Sequence, residues 1–322
     1  MNEYQAIQNK SGIIVRVVKT WGTLIGFILL LLVFTGIRPD VFPSLRNLKN
    51  IVEQVATLVI VASGVTVVMV TGDFDLSVGA IASLVGIIAA LLMKAGFGTL
   101  PSVLVALGFG TATGLLNGLL IAYGGLSAFV GTLATMTAYS GAALLISKGT
   151  TIFALPENFK VLGQGSLGFL PISVIVMLLT LGIVYLLLEQ TTYGRKLYAI
   201  GGNEEASFLS GIRIRRVRLA AFGISGFFAS LGGIVLTSRL FSAHPQAGSP
   251  FMLNAAAAVF LGMTAFREGE ANIWGTLLGA LIMGVMGNGL NILGINTYVQ
   301  SILTGAIIIL AVLLSSLAKK KA

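Results

Sequence analysis

Between Lys94 and Lys148 the chain runs for 53 residues without one charged side chain, and between Glu270 and Lys319 it does so for another 48. A soluble fold does not sustain such runs, because a solvated face needs charge and a helix buried in a core is far shorter. One helical membrane crossing takes roughly 20 apolar residues, so each run holds two crossings and a turn. Turn candidates are Tyr123-Gly124-Gly125-Leu126-Ser127 in the first run and Gly294-Ile295-Asn296-Thr297 in the second. The chain reads as an all-α polytopic membrane protein.

Composition then excludes several classes. Charged residues make up only 10% of the 322, so the length prior for soluble domains does not apply. One transmembrane domain is expected over residues 21–318, between a cytoplasmic segment 1–20 and a basic cytoplasmic tail 319–322. Cysteine is absent, which removes disulfides, thiolate metal sites and cysteine nucleophiles. One histidine and 11 carboxylates, most of them at segment edges, argue against a metal site, and no cofactor is expected. The net charge of +9 is assigned to cytoplasmic loops, not to nucleic-acid binding.

Breaking the sequence at charges, prolines and polar clusters gives ten spans near 21–37, 53–71, 76–93, 102–123, 127–147, 170–188, 217–238, 252–266, 272–293 and 297–317. With the N-terminus inside, 13 of the 20 basic residues fall on the cytoplasmic side, among them Arg195, Lys196, Arg213, Arg215, Arg216, Arg218 and Arg267. Basic excess marks that face, so both termini are expected to be cytoplasmic. The first span is read as retained, because no small-x-small cleavage site follows it. Trp21 and Trp274 sit near span ends as interfacial anchors.

Gly110, Gly114 and Gly118 recur at four-residue spacing along one face of the fourth span, and Gly275 and Gly279 do so in the ninth. In membranes such small-residue faces let helix backbones approach closely. Asn117-Gly118, Gly124 and Phe129-Val130 find an echo in Asn288-Gly289, Gly294 and Tyr298-Val299. The span count brings spans 2–5 and 7–10 in from opposite sides, as in the inverted repeats of many transporters.

No Gly-x4-Gly-Lys-Ser/Thr loop is present, so the chain has no P-loop ATPase site of its own. Nor does it carry the many intramembrane ionisable residues common in ion-coupled carriers. In Thr71-Gly72-Asp73-Phe74-Asp75-Leu76-Ser77-Val78-Gly79, Asp75 is expected to cap the third span. The alternative is a polar break lining the path of a hydroxylated solute. His244, in an outer loop, reads as structural.

The cytoplasmic segment 190–216 contains Asn203-Glu204-Glu205-Ala206-Ser207-Phe208-Leu209-Ser210-Gly211. Asn203 suits an N-cap, Glu204 and Glu205 the positive end of the dipole, and Gly211 the C-terminal stop. A helix of about two turns is marginal alone. It either lies on its own bundle or docks a cytoplasmic partner, and spacing does not choose between them.

These loops resemble a known family. Asp75-Leu76-Ser77-Val78-Gly79, Ala128-Phe129-Val130-Gly131-Thr132-Leu133, Tyr193-Gly194-Arg195-Lys196-Leu197-Tyr198-Ala199-Ile200-Gly201-Gly202-Asn203-Glu204-Glu205-Ala206 and Leu209-Ser210-Gly211-Ile212 are similar to motifs of the permease subunits of ribose-type bacterial ABC importers. So are Gly275-Thr276-Leu277-Leu278-Gly279-Ala280 and Asn288-Gly289-Leu290-Asn291-Ile292-Leu293-Gly294. The resemblance runs in order from about residue 50 to the C-terminus.

It implies a non-enzymatic subunit of the bacterial inner membrane, surrounded by lipid. A periplasmic solute-binding protein delivers a monosaccharide, a cytoplasmic ABC ATPase supplies energy, and a second permease copy completes a homodimer or heterodimer. Asn203, Glu204, Glu205, Phe208, Leu209 and Gly211 then correspond to the coupling helix. For the translocation path Asp75, Ser77, Asn117, Asn254, Asn288 and Asn291 are chosen, because amides and hydroxyls suit a neutral polyol. Two departures stand out. Asn254 occupies a position where the family usually carries Asp, and the loop 263–271 is poorer in Gly than usual. The rival readings are a permease for another small solute, such as a branched-chain amino acid, and a secondary carrier acting alone.

Overall fold

The structure is a computed structural model that describes residues 22–266 and 269–319, with side chains to residue 310. The expected N-terminal segment 1–20, Trp21, Arg267 and the tail residues 320–322 lie outside the described residues.

Hydrocarbon offers no hydrogen-bond partners, so a segment that enters it must satisfy its own backbone, and each apolar run does so as helix. In chain order these are α1 (Gly22–Ile37), α2 (Leu45–Met69), α3 (Val78–Lys94), α4 (Thr99–Ala122) and α5 (Ala128–Ser147). A single 3-10 turn (Glu157–Phe159), α6 (Lys160–Gln164) and a two-stranded antiparallel hairpin, β1 (Ser166–Leu167) with β2 (Leu170–Pro171), follow. Then come α7 (Ile172–Tyr185), α8 (Thr192–Gly202), α9 (Glu204–Leu209), α10 (Ile214–Leu240), α11 (Ser249–Gly262), α12 (Ile273–Ile292) and α13 (Thr297–Lys319). The end of α7 widens into a π-turn over Leu186–Gln190. Among the residues with described side chains six helices are long and apolar enough to cross a membrane, and four apolar stretches, the last counted as Thr297–Leu310, are shorter. The chain is a polytopic α-helical membrane protein.

Both turns read from the uncharged runs are present. Gly125 and Gly294 close them with φ of +75° and +72°, a conformation that costs a residue with a Cβ but not glycine.

Two boundaries differ from expectation. α2 begins at Leu45, about two turns before the apolar stretch, and carries Arg46, Lys49 and Glu53 in helix. Charge marks where a helix leaves hydrocarbon, not where its hydrogen-bond ladder ends. α11 begins at Ser249 and stops at Gly262, earlier than the 266 read from hydropathy.

The chain divides into two compact units, one of residues 52–256 and one of residues 1–51 with 257–322. In the first, α10 is the central element. A Cβ on Gly114 of α4 would lie 2.8 Å from the Gly226 Cα, one on Gly233 would lie 2.7 Å from the Ala82 Cα of α3, and one on Gly64 of α2 would lie 3.0 Å from the Ser225 Cα. Three helices thus meet α10 backbone to backbone, the close approach that small residues permit. Gly110 and Gly118 extend the α4 face against Ser230 and Leu219.

At the far end of α10 the segment 157–164 folds over the helix terminus. The Gly163 amide donates to Ser238 Oγ at 2.8 Å, Ser238 Oγ donates to the Phe159 carbonyl, and Gln164 Nε2 donates to the Arg239 carbonyl at 2.9 Å. The Lys160 ammonium lies 4.2 Å from the centre of the Phe241 ring.

In the second unit Gly262 packs on Gly275, and Gly279 on Ala258. The Phe34 ring covers Gly289 and stands 5.4 Å from the Phe42 ring.

Candidate coupling segment and polar break

α8 and α9 are built by local capping. Thr191 accepts from the Gly194 amide at 3.1 Å and starts α8. Asn203 Oδ1 accepts from the Ala206 amide at 2.9 Å and starts α9. Each cap satisfies a backbone donor that a helix start leaves open. Gly211, at φ +81°, ends the segment, and the Ile212 amide returns to the Ser207 carbonyl at 3.1 Å.

Glu204 and Glu205 occupy the first turn of α9, where the dipole favours them. Phe208 and Leu209 are 69% and 79% exposed, so the unit that carries α9 leaves its apolar face open. Tyr193 anchors α8 to α10, with its hydroxyl donating to the Val217 carbonyl at 3.0 Å. Burial pushes that hydroxyl's pKa further up. Gly201 of α8 abuts the Val70 carbonyl at the end of α2, so closely that any side chain there would collide.

Beside α9 opens a cavity of about 810 Å³ lined by Tyr123, Glu204, Phe208, Arg213, Arg215 and Arg218, among others. The Arg215 guanidinium lies 5.9 Å from the Tyr123 ring centre, within cation–π range.

Arg218, on the first turn and a half of α10, was counted from the sequence only as a basic loop residue. Its Nη1 and Nη2 donate to the two Glu204 carboxylate oxygens at 2.7 and 2.8 Å, while its Nε donates to Asp73 Oδ2 at 2.7 Å. Burial is the largest influence on Asp73 and lifts its pKa above the usual carboxylate value, against the pull of Arg218. No local pattern marks this cluster, because its members are 14 and 145 residues apart from Arg218.

The stretch 70–77 between α2 and α3 is irregular and descends along α10. Asp73 meets Arg218 and Asp75 meets Ser225, seven residues further along α10, which is about 10 Å at 1.5 Å per residue. Irregular backbone that is buried persists only where protein groups satisfy it. Thr132 of α5 accepts from the Leu76 amide at 3.2 Å.

The expected capping role of Asp75 is corrected by this geometry. Ser77 holds the N-cap position of α3 and makes no side-chain cap. Asp75 Oδ1 instead accepts from the Ser77 amide and Ser77 Oγ, at 3.0 and 2.6 Å, and its Oδ2 accepts from Ser225 Oγ at 2.7 Å. The carboxylate lies two residues too early and is drawn sideways to α10. Asn117 Nδ2 donates to Ser77 Oγ at 2.7 Å, and Tyr139 Oη donates to the Thr113 carbonyl at 3.1 Å and to Asn117 Oδ1 at 3.4 Å. Asp75, Ser77 and Asn117 are therefore one buried network, at 4%, 0% and 0% exposure.

The other three chosen path residues are not part of it. Asn254 is half-buried on α11. Asn288 is buried in a pair with Asn47. Asn291 is exposed and accepts from Gln300 Nε2 at 2.7 Å. His244 accepts on Nδ1 from the Gln246 amide at 3.1 Å, a local turn contact. Among the described residues no cluster of three or more His, Asp or Glu side chains could hold a metal ion.

Known proteins extend this picture. Residues 47–312 match the family described as "Branched-chain amino acid transport system / permease component". The ribose import permease protein RbsC of Bacillus subtilis is 40% identical over 92% of this chain and 93% of its own length. RbsC of Escherichia coli K12 is 38% identical over 91% and 92%, and the D-allose transport system permease protein AlsC of the same strain is 35% identical over 93% and 92%. No solved structure was found to match. With the family pattern spanning more than four fifths of the chain and such relatives aligned almost end to end, this chain belongs to the permease-component family of ABC import systems.

Proposed function

We propose that the chain is the membrane subunit of an ATP-driven importer in the bacterial inner membrane and forms the translocation path for a monosaccharide, a pentose or hexose. The observation that carries this is the end-to-end likeness to ribose and allose permeases at 35–40% identity. A periplasmic binding protein hands over the sugar, and a cytoplasmic ATPase docks on α9 through Asn203, Glu204, Glu205, Phe208, Leu209 and Gly211. Exposure of Phe208 and Leu209 on a doubly capped short helix supports that docking.

Ten spans in two inverted halves, both termini cytoplasmic, make one transmembrane domain, which pairs with a second permease as a homodimer or heterodimer. Asp75, Ser77, Asn117, Asn254, Asn288 and Asn291 are the polar groups offered to the path. A branched-chain amino acid would bring charged ends that want opposite charges nearby. Of the two carboxylates at the break, Asp73 is already matched by Arg218, which favours a neutral sugar.

The test is reconstitution with the ATPase that co-purifies and the binding protein from the same host, followed by uptake of labelled ribose, allose and leucine. Saturable, ATP-dependent sugar uptake is expected. Uptake driven by an ion gradient without the ATPase would replace this reading with a secondary carrier.

A further inference from the structure

The polar break at residues 70–77 and the coupling segment meet at one side chain. Arg218 is 19% exposed, and all three nitrogens of its guanidinium donate, two to the oxygens of Glu204 and the third to Asp73. Glu204 belongs to α9, Asp73 to the break, and Arg218 itself to α10. Charge-assisted, bidentate contacts of this kind are short, directional and difficult to stretch. With Arg218 removed, Asp73 and Glu204 would be two like charges sharing a partly buried space, and they would repel.

The break has a second point of attachment. Four residues after Arg218's partner Asp73 lies Ser77, and between them Asp75 is bonded to Ser225 on the same helix. The stretch 73–77 is therefore fastened to α10 at two heights. Gly201 of α8 abuts the Val70 carbonyl, three residues before Asp73.

We infer that Arg218 is the positioning residue that transmits displacement of α9 to the break between α2 and α3, with Glu204 as its input and Asp73 as its output. This rests on the reading of α9 as the ATPase-docking helix. A push on α9 reaches Glu204, is carried through the guanidinium, and moves the strap that holds Asp75, Ser77 and Asn117 together. The ATP-driven stroke then acts on the buried polar network through one ion-paired joint. Lysine at position 218 would keep the charge but could not hold two carboxylates with a planar fork, so it would transmit in part.

The native sequence lacks cysteine, so single spin labels can be placed without other changes. Labels are attached at Ser210→Cys, the C-cap of α9, and separately at Leu76→Cys, in the break. The permease is purified as its complex with the host ATPase, placed in lipid nanodiscs, and trapped with ATP and orthovanadate. In the native background both labels should change line shape on trapping. In Arg218→Gln, and in Asp73→Asn, the ATPase should still co-purify at native stoichiometry and the Ser210 label should still respond. The Leu76 label should then lose at least four fifths of its response, with Arg218→Lys recovering about half.

A full Leu76 response in Arg218→Gln would overturn the inference. So would loss of the ATPase from that variant, which would make Arg218 a docking residue. Silence of the Ser210 label in the native chain would instead remove the docking reading of α9, and the inference with it.

Discussion

Asn47 and Asn288 exchange two hydrogen bonds through their side-chain amides. Asn47 Nδ2 donates to Asn288 Oδ1 at 3.0 Å, and Asn288 Nδ2 donates back to Asn47 Oδ1 at 2.9 Å. Asn47 Nδ2 also donates to the Phe42 carbonyl at 2.9 Å. The pair ties the start of α2 to α12 in a closed ring, and both residues are at least nine-tenths buried.

Truncating one partner leaves the other's buried amide unsatisfied, which costs about 1–3 kcal/mol. Asn288→Ala is therefore expected to lower the melting temperature of the detergent-purified protein by several degrees. The double variant Asn47→Leu, Asn288→Leu should recover part of the loss, because no orphaned amide remains. Differential scanning fluorimetry on the two variants checks this.

Gly114 and Gly108 lie on the same helix with different surroundings. A Cβ on Gly114 would collide with the backbone at Phe222 and Gly226, whereas one on Gly108 would meet nothing within 4 Å. Gly114→Ala should reduce the folded yield several-fold by forcing α4 away from α10, and Gly108→Ala should leave it unchanged. Fluorescence size-exclusion profiles of tagged variants separate the two outcomes.

Asn203→Ala removes the cap of α9 at a cost of about 1 kcal/mol, a large loss for a helix of six residues. Hydrogen exchange at the amides of 205–209 should accelerate roughly fivefold. Asn203→Ser, which retains an acceptor, should exchange at close to the native rate. Equal rates in Asn203→Ala and the native chain would remove the cap from the account.

Phe208→Ala with Leu209→Ala touches side chains that are mostly exposed, so the melting temperature should stay within a degree or so of native. Sugar uptake in the reconstituted importer should fall at least tenfold, together with recovery of the ATPase on purification. Native uptake by the double variant would sink the docking role of α9.

Asp75→Asn keeps an acceptor for Ser225 and a hydrogen-bonding group for Ser77, while Asp75→Leu orphans Ser77 and Ser225. The Asn variant should fold and retain measurable uptake, and the Leu variant should lose folded protein. Reversal of that order, measured as folded yield, would show that the carboxylate's charge outweighs its hydrogen bonds.

What the sequence disclosed, and what it hid, follows from the range of each interaction. The uncharged runs, the turns at Gly125 and Gly294 and the limits of α9 are local, and all were legible as hydropathy, glycine and capping residues. The start of α2 was not, because Arg46, Lys49 and Glu53 imitate a loop while remaining in helix. Residues 157–169 fell between the fifth and sixth spans with no element assigned, and the helical turns and hairpin that begin there are shorter than any periodicity can mark. Asp75 and Arg218 were misjudged for a common reason. Their partners Ser225 and Asp73 are 150 and 145 residues away, and nothing in their own neighbourhood announces them.

α10 runs 27 residues, about 40 Å at helical rise, and each end is held by a different surface segment. Arg218 is clasped by Glu204 at one end, and Ser238 and Arg239 are bonded to residues 159–164 at the other. A stiff shaft gripped at both ends cannot answer a load on one face in isolation. On the proposed topology the two clasps stand on opposite faces of the bilayer, and a load placed on one is then expected at the other.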